Sequence, residues 1–166
     1  QAPPVQWDNS YGYGGMTDAA ASVQQTTDGG YIISGFTFYG PGSTNIYIVK
    51  TNSNGIEEWS KIYGGEGGDD SYNVQQTTDG GYIIAGTYKA DSPSPRRAWI
   101  LKTDSFGDTV WTKKYNQEEA KSVEQTNDGG YIISVEYPDV KIIKSDVNGN
   151  TLWTKAFGEP SINSTK

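Results

Sequence analysis

The sequence predicts an all-β fold assembled from three repeats of four short strands, and three observations carry that expectation. The stretch SVQQTTDGGYIISG at residues 22–35 returns as NVQQTTDGGYIIAG at 73–86 and as SVEQTNDGGYIISV at 122–135. The copies are evenly spaced: Tyr31 to Tyr82 is 51 residues and Tyr82 to Tyr131 is 49, a period typical of repeat architectures. The apolar runs between them are short, rich in β-branched and aromatic residues, and broken by Gly and Asn, which is strand punctuation rather than helical spacing.

Each unit reads as four parts. A tryptophan segment comes first, QWDNSYGYGG, EWSKIYGG, VWTKKYNQ or LWTKAFGE around Trp7, Trp59, Trp111 and Trp153. Its apolar residues fall at about two-residue spacing, as a half-buried strand requires. The VQQT strand follows, joined by Asp-Gly-Gly to YIISG, where paired glycines are expected to supply positive φ for a tight hairpin. The fourth part is IYIVKTN, AWILKTD or VKIIKSD, and a second turn, SNG, SFG or VNG, leads into the next tryptophan strand. The third unit is shorter because FTFYGPGSTN and TYKADSPSPRRA are replaced there by EYPD at residues 136–139. Those connections are read as variable loops, and Pro93 and Pro95 exclude a central strand from the second.

Two architectures suit such units: a β-propeller of four-stranded blades or a β-trefoil of three lobes. The runs at 31–33, 46–49 and 99–101 are apolar at consecutive positions, so both faces of those strands should be covered. Stacked propeller blades do this, whereas a trefoil barrel covers mainly one face. The expectation is therefore a β-propeller-like domain of three four-stranded blades plus one surplus strand, with β-trefoil as the alternative. The repeats are placed at about 7–58, 59–110 and 111–152, with the surplus strand and tail at 153–166.

The pattern VQQTTDGGYIIAG, then WILKTD, a glycine turn and WxKxYGG, resembles the repeats of secreted and cell-surface β-propeller proteins of archaea and bacteria. It is distantly similar to quinoprotein blades. The likeness runs from about Trp7 to Phe157 and implies the fold; the proteins it resembles serve adhesion, scaffolding and binding, and fold does not fix activity. The third unit departs from the pattern, with Val135 in place of Gly35 and Gly86, and Asn116 and Gln117 in place of a Gly-Gly pair.

Composition narrows function further. The 166 residues include no cysteine and no histidine, which removes disulfides, thiolate metal sites, Ser/His/Asp triads and ordinary zinc sites. Thirteen basic against 20 acidic residues give a net charge of −7 and a pI near 4.5. The longest basic cluster is Arg96-Arg97, so nucleic acid is not an expected partner. No apolar stretch approaches the roughly 18 residues of a membrane helix. The chain starts at Gln1 with Met16 as its one methionine, which reads as processing of a secreted, extracellular or cell-surface protein.

Candidate sites follow from the loops. Asp28, Asp79 and Asp128 precede Gly-Gly in equivalent turns and are read as turn-forming carboxylates; presence in every unit suits structure better than one asymmetric catalytic site. DSFGD and DVNGN set Asp104, Asp108, Asp146, Asn148 and Asn150 around glycine, a degenerate echo of calcium-loop spacing. Glu66, Asp69 and Asp70 form an acidic loop cluster, read as solvated charge. Among aromatics outside the repeat, Tyr39, Tyr88 and Trp99, with Arg96 and Arg97, are candidates for stacking on a glycan or filling an interface. Asn163-Ser164-Thr165 is an N-glycosylation pattern.

Closed propellers need four to eight blades, yet this chain encodes three, and its tryptophan strand occurs four times. The sequence thus predicts a non-enzymatic structural subunit that partners itself, closing a ring or extending a filament by strand complementation through Trp7, Trp153 and Phe157. The alternatives are a glycan-binding or adhesive propeller module, a fragment of a longer propeller, and a quinoprotein-type enzyme.

Overall fold

A computed structural model describes residues 7–12, 14–89, 95–115, 119–136 and 140–157. These residues form twelve strands and no helix, so none crosses a membrane as a helix. The strands make three four-stranded antiparallel sheets, each a meander. Blade 1 comprises β1 (Asp18–Gln25), β2 (Tyr31–Thr37), β3 (Asn45–Thr51) and β4 (Glu57–Tyr63). Blade 2 comprises β5 (Asp70–Gln76), β6 (Tyr82–Lys89), β7 (Arg96–Thr103) and β8 (Thr109–Tyr115). Blade 3 comprises β9 (Glu119–Gln125), β10 (Tyr131–Glu136), β11 (Val140–Ser145) and β12 (Thr151–Phe157).

The blades stack face to face in a propeller-like arc, with β1, β5 and β9 innermost. Two hydrophobic cores lie between them. Ile32, Ile46 and Ile48 of blade 1 pack on Val74, Tyr82, Ile84, Trp99 and Leu101 of blade 2. Ile83, Ala85, Ala98 and Ile100 of blade 2 pack on Ala120, Val123, Tyr131, Ile133, Val135 and Ile143 of blade 3. Odd and even residues of β6 and β7 thus enter different cores, which is why those strands are apolar at consecutive positions. The separate stacked sheets replace the trefoil alternative.

The sheets correct the phase expected from the sequence. A tryptophan strand closes each blade rather than opening it: Trp59, Trp111 and Trp153 lie in β4, β8 and β12, hydrogen-bonded beside β3, β7 and β11. The boundaries at 7–58, 59–110 and 111–152 therefore shift, and Trp153 is not surplus but part of the fourth strand of blade 3. The extra copy is Trp7, and residues 7–11 form no strand.

The Asp-Gly-Gly hairpins also differ from expectation in one respect. Only the first glycine of each pair has positive φ, 82° at Gly29, 83° at Gly80 and 80° at Gly129. The second is glycine for lack of room: a Cβ on Gly30 would lie 2.0 Å from the Thr51 carbonyl oxygen, and Gly81 and Gly130 meet the same obstacle. Every inner strand carries the same bulge, between Ala20 and Ser22, between Ser71 and Asn73, and opposite Ser134 and Val135. Val135, in place of glycine, leaves this pairing intact and is buried in the second core.

Candidate functional site

The joint between neighbouring blades is built twice from the same parts. At its inner end, side chains of one inner strand accept the backbone N–H groups of the next. Val74 N–H donates to Ser22 Oγ at 3.4 Å and Gln76 N–H to Gln24 Oε1 at 2.6 Å. In the second joint Val123 N–H donates to Asn73 Oδ1 at 3.0 Å and Gln125 N–H to Gln75 Oε1 at 2.9 Å. A return bond runs the other way, Thr27 N–H to Gln76 Oε1 and Thr78 N–H to Gln125 Oε1. The polar VQQ edge thereby satisfies backbone donors that would otherwise be orphaned.

At the outer end a tryptophan from one blade sits on the next. Trp59 lies 5.7 Å from Tyr82, and Trp111 lies 5.6 Å from Tyr131, both edge to face. The same indoles cover the glycines of the β7–β8 and β11–β12 turns, where a Cβ on Gly107 would come within 2.9 Å of Trp59 and one on Gly149 within 2.8 Å of Trp111. Tyr63 Oη donates to the Gly107 carbonyl, and Lys61 reaches Asp108 at 2.8 Å as Lys113 reaches Asn150 at 3.0 Å.

Half of this joint is open at each end of the arc. Val74 and Val123 are 2% and 3% exposed, whereas Val23, their equivalent on the leading face of blade 1, is 64% exposed. On the trailing face of blade 3 every residue of β12 is exposed, including Trp153 at 49% and Phe157 at 44%. Ser122 and Glu124, which match Ser22 and Gln24, are exposed there too. Ile132 and Ile142 are half-buried, although the matching Ile32 and Ile48 of blade 1 lie at 0% and 1%. Of the three residues expected to mediate self-assembly, Trp153 and Phe157 therefore share one open face; Trp7 lies on the opposite one, 5.7 Å from Tyr31.

The hairpin carboxylates are structural. Asp28 Oδ1 accepts from Thr26 Oγ1 and Gly30 N–H, and Asp79 and Asp128 repeat the pattern. Each carboxylate also meets a lysine at the end of the neighbouring apolar run: Lys50–Asp28 at 2.8 Å, Lys102–Asp79 at 2.9 Å and Lys144–Asp128 at 3.0 Å. Burial works against the charged form of Lys50, yet the hydrogen bonds it donates to Asp28 and Glu58 raise its pKa above the ordinary value. Sequence reasoning missed these lysines. The available signal was a lysine inside an otherwise apolar run at the same place in all three units, a position a solvated lysine has no reason to repeat.

Hydrogen bonds from Lys50, Thr26 and Gly30 hold the Asp28 carboxyl down to about 2, and Thr126, Lys144 and Gly130 do the same to Asp128. A carboxyl depressed in the fold stabilises it above the ordinary value of 3.8 and loses that contribution as it protonates. Melting temperature is accordingly expected to fall as pH drops from about 4 to about 2, with no change from these groups near neutrality. A flat melting profile across that window would contradict the pairing.

The calcium candidates are brought together only within their own turns. Asp104 Oδ1 accepts the N–H groups of Phe106 and Asp108, and Asp146 Oδ1 those of Asn148 and Asn150. Asp108 and Asn150 are engaged by Lys61 and Lys113 of the preceding blade. Among the described residues no three acidic side chains converge as a metal would need. The acidic loop also differs from expectation: Asp69 is fully buried and ties its own loop to the end of β6, accepting from Gly65 and Lys89 N–H, while Asp70 pairs with Arg96 at 2.9 Å.

Trp99 is not a surface platform. It is 7% exposed in the core between blades 1 and 2, and its indole N–H donates to Thr112. Tyr88 packs on Trp99 at 5.7 Å and carries Lys114 Nζ 3.2 Å above its ring. Arg96 is exposed and Arg97 half-exposed at the start of β7, while Tyr39, 48% exposed, lies in the loop between β2 and β3 of the neighbouring blade. Asn163 lies outside the described residues.

Fold and end faces together define a three-bladed, propeller-like domain bearing half of a blade-to-blade joint at each end. No family model matches the chain, and no curated protein matches it. Among solved structures it is similar to a protein of unknown function from Bacteroides caccae, with 13% identity and a TM-score of 0.58 over 88% of this chain. The match spans 48% of that protein, so the chain corresponds to about half its length. At this identity the likeness concerns the fold alone.

Proposed function

We propose that the protein is a non-enzymatic extracellular or cell-surface structural subunit that assembles head to tail with copies of itself. The observation that supports this most directly is the contrast between Val23, 64% exposed, and Val74 and Val123, 2% and 3% exposed in the same place in the repeat. The trailing face of blade 3 offers the complementary half: Ser122 and Glu124 stand ready to accept the N–H groups of Val23 and Gln25, as Ser22 and Gln24 accept those of Val74 and Gln76. Because the two faces are different surfaces, the contact is heterologous; two copies close a ring of six blades, or the contact propagates as a filament. All three sheets have four strands, so assembly stacks blades rather than supplying a missing strand.

Sedimentation velocity over a concentration series tests the reading. The wild-type chain is expected to form larger species as concentration rises. Val23→Arg should weaken association about a hundredfold or more, because it would bury an unpaired charge in the joint. Phe106→Ser, in an exposed turn of blade 2, should leave association unchanged. A wild-type chain that stays monomeric at all concentrations would overturn copy-to-copy assembly and favour a longer propeller in which further blades cover these faces.

A further inference from the structure

The four tryptophan segments share one spacing, an aromatic residue four positions after the tryptophan: Trp7–Tyr11, Trp59–Tyr63, Trp111–Tyr115 and Trp153–Phe157. Three of them are strands that close blades. The first is not, yet it makes the contacts of a closing strand. Trp7 sits on Tyr31 as Trp59 sits on Tyr82, both at 5.7 Å. It covers Gly55, where a Cβ would come within 2.6 Å of its ring, as Trp59 covers Gly107. Tyr11 Oη donates to the Gly55 carbonyl as Tyr63 Oη donates to that of Gly107. Residues 7–11 thus copy, on the leading face of blade 1, the outer strand of a blade that precedes it.

We infer that the Gly55–Tyr31 cleft is an exchangeable binding site for a Trp-x-x-x-Tyr/Phe segment, filled by the chain's own Trp7–Tyr11 and taken over by Trp153–Phe157 of a second copy. The inference deepens the head-to-tail reading and rests on it for its biological use. Two features make the resident segment the weaker occupant. It has no strand partners, whereas β4 and β8 enter their joints already fixed in a sheet. It also leaves the inner half of the face open, as the exposed Val23 shows, so an incoming blade adds contacts through Ser122 and Glu124 that the segment cannot offer. Against these, an intramolecular competitor enjoys an effective concentration on the order of millimolar. The segment therefore acts as a plug that keeps dilute chains apart and yields as concentration rises.

A peptide of residues 151–157, Thr-Leu-Trp-Thr-Lys-Ala-Phe, tests the cleft separately from assembly. Titrated by calorimetry into the Val23→Arg chain, whose self-association is weakened, it is expected to bind at least about tenfold tighter once Trp7→Ala is added, because the competitor is gone. A peptide carrying Trp153→Ala should bind neither chain. If Trp7→Ala disturbs folding, Tyr11→Phe, which deletes one hydroxyl, should still tighten binding. Equal affinity with and without these substitutions, or no binding to any of the chains, would overturn the inference. Peptide binding in a chain that never self-associates would leave the cleft standing while removing head-to-tail assembly.

Discussion

Ile100→Ala is expected to lower folding stability by about 3–4 kcal/mol, read from urea denaturation, and Ile142→Ala in the matching position by much less in dilute solution. Ile100 is 0% exposed in the core between blades 2 and 3. Its truncation removes transfer energy and leaves a cavity walled by strands that cannot collapse without breaking ladder hydrogen bonds. Ile142 occupies the same place in blade 3 but is half-buried, so most of that cavity term is missing. The comparison also reads assembly: at concentrations where copies stack, Ile142 enters a joint and its substitution should cost more. Equal losses at Ile100 and Ile142 in dilute solution would mean that the trailing face of blade 3 is already covered. Val140→Ala, at a position 55% exposed, should change stability by less than about 0.5 kcal/mol.

Asp79→Ala should be the most damaging of the three hairpin carboxylate substitutions, at about 2–4 kcal/mol. The Lys102 side chain is 4% exposed, and losing Asp79 leaves its ammonium, among the described residues, with only the Thr103 carbonyl. The upper end of that range is tempered by water, since Asp79 itself is 62% exposed. Lys50 is equally buried but has Glu58 as a second partner at 2.8 Å, so Asp28→Ala should cost less. Lys144, at 12% exposure, can turn toward solvent, and Asp128→Ala should cost least. The double variant Asp79→Ala/Lys102→Met should recover most of the loss, because it removes the stranded charge rather than its counter-ion alone. If the double variant is as unstable as Asp79→Ala, the loss comes from the turn bonds to Thr77 and Gly81, not from the buried lysine.

Much of the fold was legible in the chain because it is local and repeated. The Asp-Gly-Gly and Ser-Asn-Gly turns mark their own hairpins, and consecutive apolar residues in IYIVK and AWILK announce two covered faces. The candidate site was less legible, for reasons visible in particular residues. Trp99 looks like a variable-loop aromatic, yet β7 points it into the core, so its burial depends on a neighbouring blade. Asp104 and Asp146 have the spacing of cation ligands, but a turn of that length directs their oxygens to its own N–H groups. Gln24, Gln75 and Glu124 look like ordinary solvated positions until the next inner strand lies beside them.

What the sequence by itself determined is the unit: four strands, two hairpin types, three copies, and a fourth tryptophan segment left over. Turn chemistry and two-residue periodicity act over a few residues, and every copy repeats them. Only the tertiary structure decided the phase of the sheets and the fate of each copy. It placed Trp59 and Trp111 as closing strands on the next blade, gave the leftover role to Trp7 instead of Trp153, and left Val23 open where Val74 and Val123 are buried. Those outcomes depend on contacts across about fifty residues, which identical local sequences cannot distinguish, because a residue's exposure is fixed by whether a neighbouring blade is there to cover it.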